Sequence, residues 1–298
     1  MLDRYWSGPV TRISPEAPVP IVSVDSMTEC IGGAGNVAAN IRGIGAQCQL
    51  LSIIGDDSSG RLLDDLLANS GIDRYLHIDT ENRTTEKLRL VSLNQQLIRV
   101  DFEGTPNVRM SELVLDDYER LLAEVSVVVV SDYGKGGLSN IPQIIRLAHQ
   151  QRIPVVVDPK GADFSDYRDA TIVTPNTSEF IQSVGDCSTP EEFNRKAYAL
   201  IKNLSLQGLL VTRGPDGMTL FSKEGTSINQ SSNAKQVYDV SGAGDTVVAA
   251  IAVFLACGMD WSKILEYANI AAGIVVGKFG TATVTLREIV EQIERETE

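Results

Sequence analysis

Short runs rich in Val, Ile and Leu recur along this chain, with helical patterns between them. Residues 50–54, 125–131, 153–158, 170–174 and 209–212 read as strands apolar on both faces. Residues 35–44, 60–69, 112–124, 141–150 and 191–203 carry helical patterns, and the last third adds 243–256, 261–278 and 286–296. A strand with no polar face must be covered on both sides. The order therefore predicts an α/β fold built of βαβ units, with a mainly parallel sheet between two helical layers.

Two stretches break the rhythm. Residues 19–24 alternate weakly, and 87–91 with 96–101 read as a hairpin turning at Leu93-Asn94-Gln95. No helix follows either, so they are expected in a small β lid spanning about 12–26 and 84–102. Such a lid covers a site or pairs with a second chain. There is no internal repeat or linker, so residues 1–298 read as one domain.

Composition removes several classes. The 26 Lys and Arg against 39 Asp and Glu give a net charge of −13, with no basic block, which argues against nucleic acid. The apolar run 247–257 is too short to span a bilayer, and residues 1–10 lack a signal-peptide pattern. The four cysteines, Cys30, Cys48, Cys187 and Cys257, show no paired spacing and read as reduced cytoplasmic thiols. The two histidines, His77 and His149, have no metal-ligand spacing.

The run Val240-Ser241-Gly242-Ala243-Gly244-Asp245-Thr246 precedes a long apolar helix. Small residues let a ligand approach the backbone, and the first helical turn leaves N–H groups unpaired at the positive end of the dipole. Gly242, Ala243 and Gly244 therefore form a candidate anion hole for a phosphate in transfer. Asp245 is either the base that takes a proton from an attacking hydroxyl or an ordinary helix cap. A second cluster, Gly32-Gly33-Ala34-Gly35-Asn36, formally fits a dinucleotide fingerprint. The polar stretch 25–30 before it does not qualify as the buried strand that fingerprint requires. A turn placing backbone and Asn36 against a polyhydroxylated substrate fits better. The Walker A pattern is absent.

These two clusters resemble the paired signatures of the ribokinase-like (PfkB) carbohydrate kinases, and the resemblance runs through the whole chain. Within that family, 2–6, 12–20, 94–99, 158–161 and 174–176 are similar to the heptose-7-phosphate kinases of lipopolysaccharide precursor synthesis. The resemblance implies a three-layer α/β/α sandwich with a β lid. It also implies transfer of the ATP γ-phosphate, with Mg²⁺, to the C1 hydroxyl of D-glycero-D-manno-heptose 7-phosphate, giving the 1,7-bisphosphate.

The resemblance also assigns residues. Asn176 and Glu179 would meet nucleotide and Mg²⁺ waters. Thr212, Arg213 and Gly214 would form a loop beside the nucleotide, with Asn269 near adenine. Asp3 would accept sugar hydroxyls, and Gly32 and Gly33 would line the sugar. Asp239 and Ser241 would hold a monovalent cation such as K⁺. Lys87, Arg89, Arg99, Lys135 and Lys160 are candidate cations for the sugar's own phosphate, or solvated surface charges.

A homodimer through the lid is implied as well. The family usually opens with an apolar strand before the segment matching 1–3, so an interior strand is expected to be missing here, leaving a groove. No nucleotidyltransferase domain is expected after residue 298. The alternatives are another kinase of the same fold acting on a different sugar or a nucleoside, or a non-catalytic binder of nucleotide or phosphosugar.

Overall fold

A computed structural model describes residues 1–297 except 94, 139, 235 and 236. The chain begins with strands β1 (Leu2–Ser7), β2 (Val10–Ile13), β3 (Pro20–Val22) and β4 (Ser26–Ile31), then helix α1 (Ala34–Gly43). Next come β5 (Gln49–Gly55), α2 (Ser58–Asn69), β6 (Asp73–Asp79), β7 (Glu86–Ser92) and β8 (Gln95–Phe102). The middle holds α3 (Val108–Leu121), β9 (Val128–Ser131), α4 (Ile141–Gln150), β10 (Val155–Asp158), β11 (Ile172–Val173), α5 (Thr177–Val184) and α6 (Pro190–Leu204). The end holds β12 (Gly208–Thr212), β13 (Met218–Ser222), β14 (Ser227–Gln230), α7 (Ala243–Ala256), α8 (Trp261–Val275) and α9 (Leu286–Thr297).

The main sheet has the order β14-β13-β12-β11-β10-β9, with β9 to β12 parallel and β13 and β14 antiparallel. Alternation along its strands divides two cores. Val156, Ile172 and Leu210 face a cluster with α1, α7 and α8, while Val155, Val157, Leu209 and Val211 face one with α4 and α6. Each side chain is almost wholly buried. At about 1.5–3 kcal/mol per buried aliphatic side chain, these strands hold the two helical layers together. The result is the expected three-layer sandwich.

The lid is larger than its sequence suggested. Its sheet has the order β4-β1-β7-β8, while β2 and β3 pair as a separate ribbon. The hairpin β7–β8 forms as expected, with Lys87 opposite Asp101 and Arg89 opposite Arg99. Its turn carries Leu93 at φ 48°; the rest of the expected turn includes Asn94, which lies outside the described residues. The start of the chain is itself a lid strand, with β1 between β4 and β7. The stretch 25–30, rejected as a buried strand, is mostly strand β4; it is largely exposed and belongs to the lid.

Strands β5 and β6 pair only with each other among the described residues. Between β5 and β9 lies an apolar cleft of about 860 Å³, with Ile54, Val129, Ile41, Tyr118 and Met1 among its lining. Burial beside it lowers the Met1 ammonium to about 6.

No helix among the described residues is long and apolar enough to cross a membrane. All four cysteines are free thiols; Cys30, Cys48 and Cys187 are partly buried and Cys257 is exposed.

Candidate active site

The entry of α7 is built by glycine. Gly242 is the N-cap residue at φ 79°, and a Cβ there would lie 2.6 Å from Asn36 Nδ2. Left-handed backbone and close approach together exclude other residues. At Gly244 a Cβ would meet nothing within 4 Å, so that turn faces open space. The Ala243 amide donates to the Val240 carbonyl at 3.2 Å, which commits one of the three expected anion-hole residues. Gly242 and Gly244 remain candidates for that role, since the first amides of a helix have no intrahelical partner.

Asp245 sits in the first turn of α7 and is 8% exposed. No side chain caps this helix, so the cap alternative fails. Its Oδ2 accepts from Asn36 Nδ2 at 2.8 Å and its Oδ1 from the Tyr133 hydroxyl at 2.7 Å. Burial raises its carboxyl to about 6, against the opposing pull of those two bonds. A carboxyl titrating there is well suited to a base working near neutral pH.

Asn36, expected beside the substrate, is engaged within the protein. Its amide is spent on Asp245, and its own Oδ1 accepts from Asn40 Nδ2 at 3.2 Å. Gly32 and Gly33 are points of close approach within the protein itself. A Cβ on Gly32 would lie 2.1 Å from Asp3 Oδ2, and one on Gly33 would lie 3.3 Å from the Tyr133 ring.

Asp3, 1% exposed, accepts from Arg89 Nη1 at 2.6 Å. Burial opposes the Arg89 charge, but Asp3 outweighs it and holds the guanidinium above its ordinary value. Arg89 is thus the partner of Asp3 rather than a free phosphate clamp. Lys87 projects from the same strand face, its Nζ 5.9 Å from the Tyr133 ring centroid. Burial, then the nearby Arg99, pulls its ammonium below the usual lysine value. Arg99 is half-exposed and paired with Asp101 at 2.8 Å. Lys135 pairs with Glu103 at 2.5 Å.

Lys160 belongs elsewhere. It meets Glu179 Oε1 at 3.0 Å in a second cavity of about 180 Å³, lined by Asp132, Asp158, Asn176, Thr212 and Gly244 among others. Asn176 and Glu179 form a reciprocal capping box on α5. The Thr212 carbonyl accepts from Thr177 Oγ1 at 3.1 Å, and the Arg213 amide donates to the Gly217 carbonyl at 2.7 Å. Gly214, at φ 55°, opens the same loop. Burial, reinforced by Asp245 and Glu179, lifts Asp158 well above the usual carboxylate range.

That cavity collects three carboxylates, Asp132, Asp158 and Glu179, around one ammonium, Lys160. Oxygen donors and uncompensated negative charge suit a hydrated divalent cation. Among the described residues no group of three or more His, Cys, Asp or Glu forms a metal cage, so such an ion would be held through water and phosphate.

Asn269 is buried and donates to the Ser231 carbonyl at 2.8 Å, outside both cavities. The Asp239 carboxylate accepts from the amides of Ser241 at 2.8 Å and Gly280 at 3.1 Å, where it clamps the loop before α7. Sequence reasoning missed Tyr133 and Asp158 as site residues. Their signal was position: Asp158 ends one Val-rich strand and Tyr133 follows another, both at the carboxyl edge of the sheet, where ligands of such folds bind.

The pfkB family carbohydrate kinase pattern matches residues 3–288, nearly the entire chain. The chain belongs to this family. It is a kinase that phosphorylates a sugar hydroxyl, and kinases of the family use ATP and a divalent metal, generally Mg²⁺. It is 46% identical over 289 residues to the bifunctional protein HldE of Coxiella burnetii (strain Dugway 5J108-111), covering 97% of this chain and 61% of that protein. To the bifunctional protein HldE of Methylococcus capsulatus it is 48% identical over 290 residues, covering 97% and 61%. The chain thus spans less than two thirds of the curated relatives it matches. In fold it is similar to phosphofructokinase-2 of Escherichia coli in complex with substrates and products, with a TM-score of 0.83 at 20% identity, covering 100% of this chain and 96% of that one. Ribokinase of Arabidopsis thaliana complexed with ribose and ATP gives 0.78 at 21%, covering 98% and 96%.

Proposed function

We propose that the chain transfers the γ-phosphate of ATP to the C1 hydroxyl of D-glycero-D-manno-heptose 7-phosphate, giving heptose 1,7-bisphosphate for ADP-heptose and lipopolysaccharide core synthesis. The observation that carries phosphoryl transfer to an alcohol is Asp245, buried, raised to about 6 and set beside the glycine entry of α7. The heptose assignment is supported by the identity to HldE and by the charged lid strands.

In this reading Asp245 takes the proton of the C1 hydroxyl as that oxygen bonds to the γ-phosphorus. The bond from phosphorus to the β,γ-bridging oxygen breaks, and ADP leaves with the electron pair. Amides of Gly242 and Gly244 hold the charge on the moving group. Glu179 would hold a hydrated Mg²⁺ through water, and the ion would supply charge neutralisation to the phosphates. Asn176, Lys160 and the loop Thr212–Gly214 meet the nucleotide phosphates; Asn269 positions the strand-to-loop segment nearest adenine. Asp3, held by Arg89, accepts sugar hydroxyls over Gly32 and Gly33. Lys87, with Arg99 and Lys135 at the rim, meets the 7-phosphate. A K⁺ beside Asp239 and Ser241 would order the glycine turn. Lid closure excludes water, so ATP is not hydrolysed in place of transfer.

Exposed apolar side chains on the lid, Met27 at 67% and Ile98 at 52%, support a homodimer through this sheet. A solution mass near one chain would remove that part.

The test is a sugar panel with ATP and Mg²⁺, following ADP. Turnover of heptose 7-phosphate is expected; turnover of fructose 6-phosphate instead would move the chain to another kinase of this fold.

A further inference from the structure

Tyr133 stands in the loop that leaves β9 at the carboxyl edge of the main sheet. Its hydroxyl donates to Asp245 Oδ1 at 2.7 Å while Asn36, on α1, holds Oδ2 at 2.8 Å. The ring is pressed on one side by the Gly33 turn, 3.3 Å from where a Cβ would stand, and carries the Lys87 ammonium 5.9 Å from its centroid. Burial, then the charges of Asp245 and Asp158, keeps the phenol far above its ordinary value, so it is a proton donor throughout the working pH range.

We infer that Tyr133 is a positioning residue for the base: it fixes the plane of the Asp245 carboxyl and limits its basicity. The inference rests on Asp245 being the base. A carboxylate gripped at both oxygens from two separate elements has one orientation, which is what an in-line proton transfer needs. Each carboxylate oxygen has two lone pairs, so the phenol leaves room on Oδ1 for the acceptor hydroxyl.

The bond also acts on charge. Burial raises Asp245, and the bonds from Asn36 and Tyr133 oppose it. Among the charged groups facing it, Asp3 on β1 pushes the same way as burial and Lys87 on β7 pushes against it. Asp158, the last residue of β10, and the Met1 ammonium share the space. A donor to the ionised form favours that form, so removing the phenol raises the pKa of the base. Tyr133 itself never loses its proton, and Lys87 seated on its ring links the base to the lid.

Tyr133→Phe on the full chain, assayed with ATP, Mg²⁺ and heptose 7-phosphate, tests this. The expected result is a fall in kcat of about tenfold near neutral pH, a KM for the phosphosugar within about twofold, and an acid limb of kcat/KM moved up by about one pH unit. An acid limb that stays in place, or a change confined to KM, overturns the inference. A second readout needs no turnover. With ¹³C-carboxyl aspartate, and Asp245→Asn to assign the signal, the Asp245 resonance should titrate near 6 in the parent chain and higher in Tyr133→Phe. Equal midpoints overturn the inference. If Asp245→Asn keeps full turnover, the base assignment fails instead, which is a separate outcome from either Tyr133 result.

Discussion

The two sides of the site are held together differently. On the side proposed for the sugar, polar groups are buried and bonded to side chains far away in sequence: Asp3 to Arg89, Asn36 and Tyr133 to Asp245. On the side proposed for the nucleotide, local bonds stand beside long-range ones: Asn176 and Glu179 cap their own helix and Arg213 closes a turn on Gly217, while Thr177 reaches Thr212 and the exposed Lys160 reaches Glu179. Local bonds form wherever the turn chemistry is right. Long-range buried pairs exist only when the whole fold is in place, so the proposed sugar side depends wholly on tertiary structure and the proposed nucleotide side depends on it in part.

The strongest attempt to break this contrast is Asp245→Asn, which should lower kcat by about 10²–10⁴ while leaving nucleotide binding by calorimetry nearly unchanged. Equal losses in both would erase the division. Next is Asp3→Ala, which strands the buried Arg89 guanidinium and should destabilise the fold by about 3–5 kcal/mol in denaturant unfolding. Glu179→Gln, on the other side, keeps its shape and can still cap, so a loss as large there would contradict the contrast.

A third experiment concerns pH. Raising Asp245 from 3.8 to about 6 means the folded state holds that proton more tightly than the unfolded chain. Its effect is absent below 3.8, grows as pH rises, and reaches about 3 kcal/mol of destabilisation above 6. Asp245→Asn should therefore be more stable than its parent at pH 7 and gain little near pH 3.5. The smallest effects sharpen the boundary. Lys87→Ala should raise KM for the phosphosugar about tenfold, and Lys160→Ala should raise KM for ATP instead. A Lys160 effect confined to the sugar would return that residue to the lid side.

Much of this was legible because it is local. The Val-rich strands and the glycine entry of α7 declare themselves by period and turn chemistry, and Lys87 and Arg89 share a face by strand parity alone. The strands β1 and β4 did not. Asp3 and Arg4 interrupt the apolar pattern of β1, and Asp3 is tolerated inside only because Arg89, on a strand paired beside it, supplies a counter-charge. The side on which Lys160 falls was equally hidden, since strand order decides it. Tyr133 was overlooked because a phenol between Asp132 and Gly134 has no distinguishing spacing; only the fold brings Asp245 to it.

The cleft beside β5 has a mechanical consequence. Among the described residues the β5–β6 pair is joined to the rest through helix packing, with no continuous ladder to the main sheet. Shear between these two blocks meets side-chain contacts rather than hydrogen bonds. Amide protons along the facing margins of β5 and β9 should therefore exchange with solvent sooner than those of β10 or β12, and the first cooperative opening on heating should begin at this seam.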